Sequence, residues 1–182
     1  DQWPGSRVIS AQKANTANAF SLDGFALSTA NLFAAVQPGG SLFGLQESNP
    51  VDTRVAYAGP VSNYGKANDP MIGKRIGGIN VFGGGLAVYS PSGTLLGGLG
   101  VSGDTSCSDH IIAWKLRHAL NLDNVPAGVA GPAPGTDNII FTDGTLDGFE
   151  HPECFDSDPN VVGNHVDIAN NLPTTHPVGP EE

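Results

Sequence analysis

Between Ile79 and Gly103 the chain reads INVFGGGLAVYSPSGTLLGGLGVSG, and this stretch restricts the possible fold more than any other. Two apolar runs flank Pro91-Ser92-Gly93, a turn signal that sends the second run back antiparallel to the first. Glycine is dense in both arms; it weakens a strand but lets another backbone, a helix or a flat ligand come close. The second arm also holds Gly98, Gly100 and Gly103 in the spacing G-x-G-x-x-G, ahead of a helical pattern. After a strand and before a helix, that spacing marks a dinucleotide-binding loop, and Asp123 lies 20 residues past Gly103, where a ribose-binding acid is expected. The hairpin argues against a nucleotide. A dinucleotide fold joins parallel strands through a crossover helix, whereas the arms of a tight turn are antiparallel.

The flanking segments read as helix. Residues 9–20, ISAQKANTANAF, are rich in alanine and poor in branched side chains, and 28–36, STANLFAAV, predict a second helix with Ser28 as cap and QPGG as stop. Between Gln46 and Lys74 the chain turns polar and irregular, with Pro50, Pro60 and Pro70. A connection of that length suits a lid or contact surface, for which Arg54, Tyr57, Tyr64 and Lys66 are the candidate contacts, or an exposed insertion. The strongest helix pattern is DHIIAWKLRHAL, with Asp104, Ser106 or Ser108 as cap and Asp109 in the first turn.

A helical wheel places Ile112, Ala113, Leu116, Ala119 and Leu120 on one side, the expected core face. His110, Trp114 and His118 fall together on the other. The histidines stand ~12 Å apart along the axis, too far to share one metal ion. Three readings stay open: separate ligation of a metal or haem, an interface with another subunit, or ordinary exposure.

Charge is divided along the chain. Up to Arg117 eight Lys and Arg meet seven acids, a balance of +1; from His118 onward eleven acids stand without a Lys or Arg, giving −11. Such a surface excludes phosphate recognition, which needs clustered basic residues, so no nucleic-acid partner is expected. No apolar run reaches the ~18 residues of a membrane span. A nucleophile-elbow serine and an HExxH motif are both missing, so no catalytic residues are assigned.

The only methionine is Met71, so Asp1 is not read as an initiator, and an upstream segment is expected to have been removed by processing or by the choice of the expressed segment. With that start, the two cysteines, Cys107 and Cys154, favour a disulfide and an extracellular or periplasmic address. The alternative for Cys107, near a helix N-terminus, is a reactive thiol of lowered pKa. After Asn124 comes PAGVAGPAPG and then an acidic extension with one short strand expected around Ile139–Phe141. Within it Asp156, Asp158, Asn160, Asn164 and Asp167 occupy positions 1, 3, 5, 9 and 12 of an EF-hand-like calcium loop, although Val161 replaces the glycine of the sharp turn. HPEC, with His151, Glu153 and Cys154, reads as a zinc fragment only if the thiol is free of a disulfide.

In order, KANTANAFS, PGGSLFGLQESN and INVFGGGLAVYSPSGTLLGGLGVSGDTSCSD resemble the GlcG/HbpS family of haem-binding or haem-degrading domains over about residues 9–50 and 75–121. The resemblance implies an α/β fold, a profilin-like antiparallel sheet flanked by helices, a homo-oligomeric assembly, and haem or another tetrapyrrole as ligand. It places the site at Lys13, the Gly83, Gly84 and Gly85 run, and Gly103 to Thr105. On this reading His110 is the nitrogen ligand of haem, Thr105 a weaker oxygen contact and Lys13 a propionate partner.

The chain departs from the pattern in three places. The family's leading helix and pair of strands have no counterpart in DQWPGSRV, so a cleaved or separate segment is expected to complete the sheet. Residues 51–74 form an insertion. Residues 125–182 form an extension beyond a family-like domain at 1–124, tied back by the disulfide. A structural subunit of an extracellular polymer is the alternative function, and an enzyme acting on a small organic acid or corrinoid is the third.

Overall fold

The computed structural model describes residues 3–130, 136–142 and 148–154. Helix α1 spans Pro4–Ala19, five residues longer at its start than the alanine pattern suggests. Pro4 occupies the first turn, where a missing N–H costs nothing and a preset φ helps. The helix predicted over 28–36 is instead two 3-10 turns, Ala30–Leu32 and Ala34–Val36. Ser28 still caps locally, its Oγ accepting the Asn31 N–H at 3.3 Å. An α-helix fails here because its donors are taken by distant partners: Thr29 N–H bonds Gly85 O and Ala34 N–H bonds Glu150 O.

The stretch 46–74 contains two single-turn helices, α2 (Leu45–Ser48) and α3 (Thr53–Ala56), and a 3-10 turn at Val61–Asn63. Arg7 of α1 ties this insertion down. Its guanidinium grips Asp69 on two sides, donates to Ala56 O at 2.6 Å and lies 3.8 Å above the Tyr64 ring. Asp69 also accepts the N–H groups of Gly65 and Met71, and Arg7 together with these donors holds its pKa well below the usual carboxylate range.

The hairpin forms as read. Strands β1 (Gly85–Tyr89) and β2 (Leu95–Gly100) pair antiparallel, with Leu86 opposite Leu99 and a register shift between Val88 and Tyr89. They make the only sheet among the described residues, so the fold is mixed α/β: a two-stranded antiparallel sheet flanked by helices, followed by an irregular extension. Helix α1 lies across the sheet. A Cβ at Gly98 would stand 2.1 Å from Ala14 O, and one at Gly100 only 1.8 Å from Ser10 O. Two glycines of the nucleotide-like spacing therefore clear room for a helix backbone.

The outer edge of β1 is closed by three different devices. Thr29 meets Gly85 through its own N–H and through Oγ1, which accepts the Gly85 N–H at 2.9 Å. Tyr89 N–H donates to Leu122 O. Between them Arg117 Nη1 donates to Ala87 O at 2.9 Å, so a buried side chain takes the place of a neighbouring strand.

Helix α4 runs Ser106–Ala119, and its cap is Thr105, whose Oγ1 accepts the Ser108 N–H, not Asp104, Ser106 or Ser108. The wheel assigned its faces the wrong way round. Ile112, Leu116 and Leu120 are 49%, 40% and 54% exposed, while His110 and Trp114 are buried and Ala113 alone of the expected core set is inside. Periodicity counts apolar residues as inward. Here each inward polar group has a partner that sequence spacing cannot show: Asp109 meets Lys13, Arg117 meets Asp137, and His110 meets the backbone of Ile139. The outward His110–Trp114–His118 stripe therefore does not exist, and His118 instead bonds Asp123 at 2.7 Å. Asp123, the would-be ribose ligand, serves the end of the helix.

In the extension, Ile139–Phe141 makes no strand, only a single parallel bridge from Phe141 to His151. The candidate calcium loop at 156–167 lies outside the described residues.

Candidate functional site

Lys13 projects from α1 under the hairpin and is 2% exposed. Its Nζ bonds Asp109 Oδ2 at 2.9 Å and Val101 O at 3.0 Å. Burial pulls its pKa down, and Asp109 works against that shift. The other Asp109 oxygen accepts the Asp104 N–H at 3.1 Å. This pair thus fastens three elements: α1, the loop after β2 and the first turn of α4.

Above the pair opens a cleft of about 440 Å³, within the range of small-molecule sites. Trp3, Ile9 and Phe82 give it apolar walls, Gly103 and Ser106 border it, and Lys13 and Asp109 lie at its floor. Trp3 and Ser102 are shared with a second hollow of about 480 Å³ that runs past Arg7 to Tyr64, so the two adjoin. The rings of Trp3 and Phe82, 61% and 43% exposed, leave stacking surface open to the cleft.

Of the residues expected at the site, Lys13 and Gly103 line this cleft, and Gly83, Gly84, Gly85, Thr105 and His110 do not. Gly83, Gly84 and Gly85 are spent on packing. An added Cβ would meet Ser106 O at 2.3 Å, Val101 O at 2.5 Å and Thr29 Cγ2 at 2.3 Å respectively. Thr105 is occupied as the cap of α4.

His110 lies inside the protein, away from the cleft lining. Its ring is wholly buried, with Trp114 5.8 Å away, and Nε2 stands 3.1 Å from both the Ile139 N–H and Asn138 Oδ1. A wholly buried ring nitrogen enclosed by these two groups is not offered to a haem iron. Burial holds the His110 pKa at about 3; Asp137 raises it while Arg117 and His151 lower it. The folded chain therefore resists a proton that the unfolded chain takes up near 6.5, so stability is present above that pH and falls as pH drops from 6.5 towards 3. One such group contributes a slope of up to about 1.4 kcal/mol per pH unit. Denaturant melts of wild type and His110→Gln across that window are expected to show the shallower slope in the variant.

A second cluster adjoins the cleft. Cys107 and Cys154 form the disulfide, so the reading of Cys107 as a free reactive thiol is set aside. Closing a loop of 47 residues contributes about 4 kcal/mol in the chain-entropy treatment. Cys154 Sγ accepts the Cys107 N–H at 3.2 Å and lies 3.4 Å from Ser106 Oγ. Ser106 Oγ also meets His151 Nε2 at 3.1 Å, and the His151 ring stands against Phe33 and the cleft residue Phe82. Sequence reasoning singled out neither His151 as a neighbour of the cleft nor Asp137 as the partner of Arg117. The only signal was the unusual run of acids and HPEC after Asn124.

Among the described residues no helix is long and apolar enough to cross a membrane. No curated protein and no solved structure matches the chain significantly. A family model does match, over residues 1–116, and its description is a haem-degrading protein, HbpS-like. The match covers α1, the hairpin and all but the last turn of α4, and every residue lining the cleft falls within it. By that match, which spans more than half of its length, the chain belongs to the HbpS-like family, whose function is haem-related.

Proposed function

We propose that the chain binds haem or a related tetrapyrrole in the cleft between Trp3 and Phe82, outside the cytoplasm. The observation that carries this reading is the placement of two exposed aromatic rings over Lys13, Gly103 and Ser106, all inside the family-matched region. The donor set suits a particular mode of binding. The cleft wall contains no His, Cys or Met, and Lys13 is engaged with Asp109. A macrocycle held here rests on apolar faces, with only Asn80, Ser102, Asp104 and Ser106 as side-chain oxygen or amide contacts. Bound haem supplies its own iron chemistry; the chain covers the ring faces and limits water. The disulfide supports an oxidising compartment.

Haemin titration followed at the Soret band tests the reading, with light scattering on the same samples to report the homo-oligomer expected for the family. Wild type is expected to saturate at one equivalent per chain. Phe82→Ala should weaken binding about tenfold, the equivalent of ~1.4 kcal/mol. Gly103→Trp should block it, and His110→Gln should bind as wild type does. A Soret band that does not move, or that is lost in His110→Gln alone, overturns this site.

A further inference from the structure

We propose that reduction of the Cys107–Cys154 disulfide converts this corner of the molecule into a binding site for a thiophilic divalent cation, zinc by its chemistry. The ligands would be the two thiolates and His151 Nε2. The site adjoins the cleft but does not rest on the haem reading, and two of its three ligands, His151 and Cys154, lie beyond the family-matched residues.

The geometry is already gathered. One donor atom from each of Cys107, His151 and Cys154 lies within 4.8 Å of the other two. His151 is 1% exposed, and its Nδ1 stands 2.7 Å from Pro152 O. A carbonyl can only accept, so Nδ1 carries the ring proton and Nε2 presents its lone pair towards Ser106 and the cystine. Metal-binding histidines are oriented in this same manner, by a carbonyl on the nitrogen that does not ligate. Phe33 and Phe82 fix the plane of the ring at 5.2 and 6.3 Å between centroids. Cys107 occupies the first turn of the 14-residue α4 and Cys154 accepts its N–H, so both sulfurs sit where backbone donors favour a thiolate. Two thiolates and one imidazole leave a fourth tetrahedral position for water, a donor set suited to zinc.

The step balances with a dithiol as reductant. Its thiolate attacks the less buried sulfur, Cys154, and the Cys107 sulfur leaves as thiolate at the helix start. The reductant's second thiol then closes its own disulfide and releases Cys154. Two electrons and two protons pass to the protein, and cation binding expels the two thiol protons again while His151 gives up none.

Cobalt(II) is the probe, added without oxygen to the full chain after reduction by a phosphine that does not bind metals. The reduced chain is expected to take one equivalent, with a thiolate-to-cobalt charge-transfer band and intense tetrahedral d–d bands, and zinc should displace it. The oxidised chain should show neither band. His151→Ala should lose at least tenfold in affinity, and Cys107→Ser with Cys154→Ser should abolish the bands. His151→Cys guards against a merely structural loss: it should bind and show a stronger charge-transfer band, three thiolates replacing two. A reduced wild type without the charge-transfer band overturns the proposal. So does an unchanged affinity in His151→Ala, or a reduced chain whose far-UV signal is lost and not restored by cobalt.

Discussion

Asp137→Ala is expected to destabilise the chain by about 3–5 kcal/mol, the cost of removing one partner from a buried ion pair. Arg117 reaches Asp137 through both terminal nitrogens, at 2.8 and 2.7 Å, and both side chains are wholly inside. The same guanidinium holds the open edge of β1 at Ala87 O and stands 4.7 Å from the Trp114 ring. Without the carboxylate, a positive charge is left in the core beside a backbone carbonyl and an aromatic face. Chemical denaturation reads the loss directly. Arg117→Met combined with Asp137→Ala should recover most of it, because an apolar replacement removes the uncompensated charge. If the double variant is as unstable as the single one, the uncompensated charge is not the source of the loss.

Gly100→Ala is expected to cost about 3 kcal/mol, at the upper end of overpacking effects, and Gly98→Ala somewhat less. The methyl at residue 100 would lie 1.8 Å from Ser10 O and 2.8 Å from Ala14 N, which are backbone atoms of a 16-residue helix and cannot turn aside as a side chain would. Relief requires α1 to lift from β2, and α1 carries Trp3, Ile9 and Lys13 into the cleft. Thermal melts should show the loss of stability, and haemin affinity should fall with it. An exposed hairpin glycine such as Gly93, where a Cβ meets nothing but φ is +77°, provides the contrast: Gly93→Asn should stay within about 0.5 kcal/mol of wild type, since asparagine tolerates that backbone region.

These two sites show where local reading succeeds and where it stops. The hairpin was legible because a proline-glycine turn between two apolar runs is a short-range signal, and its antiparallel sense removed the nucleotide reading of Gly98, Gly100 and Gly103. The family resemblance was legible for the same reason, being carried by contiguous motifs. Lys13 and Gly103 were placed at one site on that basis, and the structure does bring them to one cleft. The faces of α4 were not legible. His110, Asp109 and Arg117 look like surface residues to a wheel, and they are inside only because Ile139, Lys13 and Asp137 arrive from elsewhere in the chain. The same holds for residues 28–36, whose helix pattern gives way to 3-10 turns because Gly85 and Glu150 take part in its hydrogen bonding.

By itself, then, the sequence determined the antiparallel hairpin, the two long helices around it, the family and the pairing of its only two cysteines. All of these rest on neighbours a few residues apart or on residue counts. Only the tertiary structure decided which face of α4 is buried, what the glycines accommodate and what surrounds the cystine. The reason is energetic: a polar side chain is excluded from a core only while it lacks a partner, and partners from 20 to 96 residues away in sequence supply the bonds that let Arg117 and Lys13 go inside.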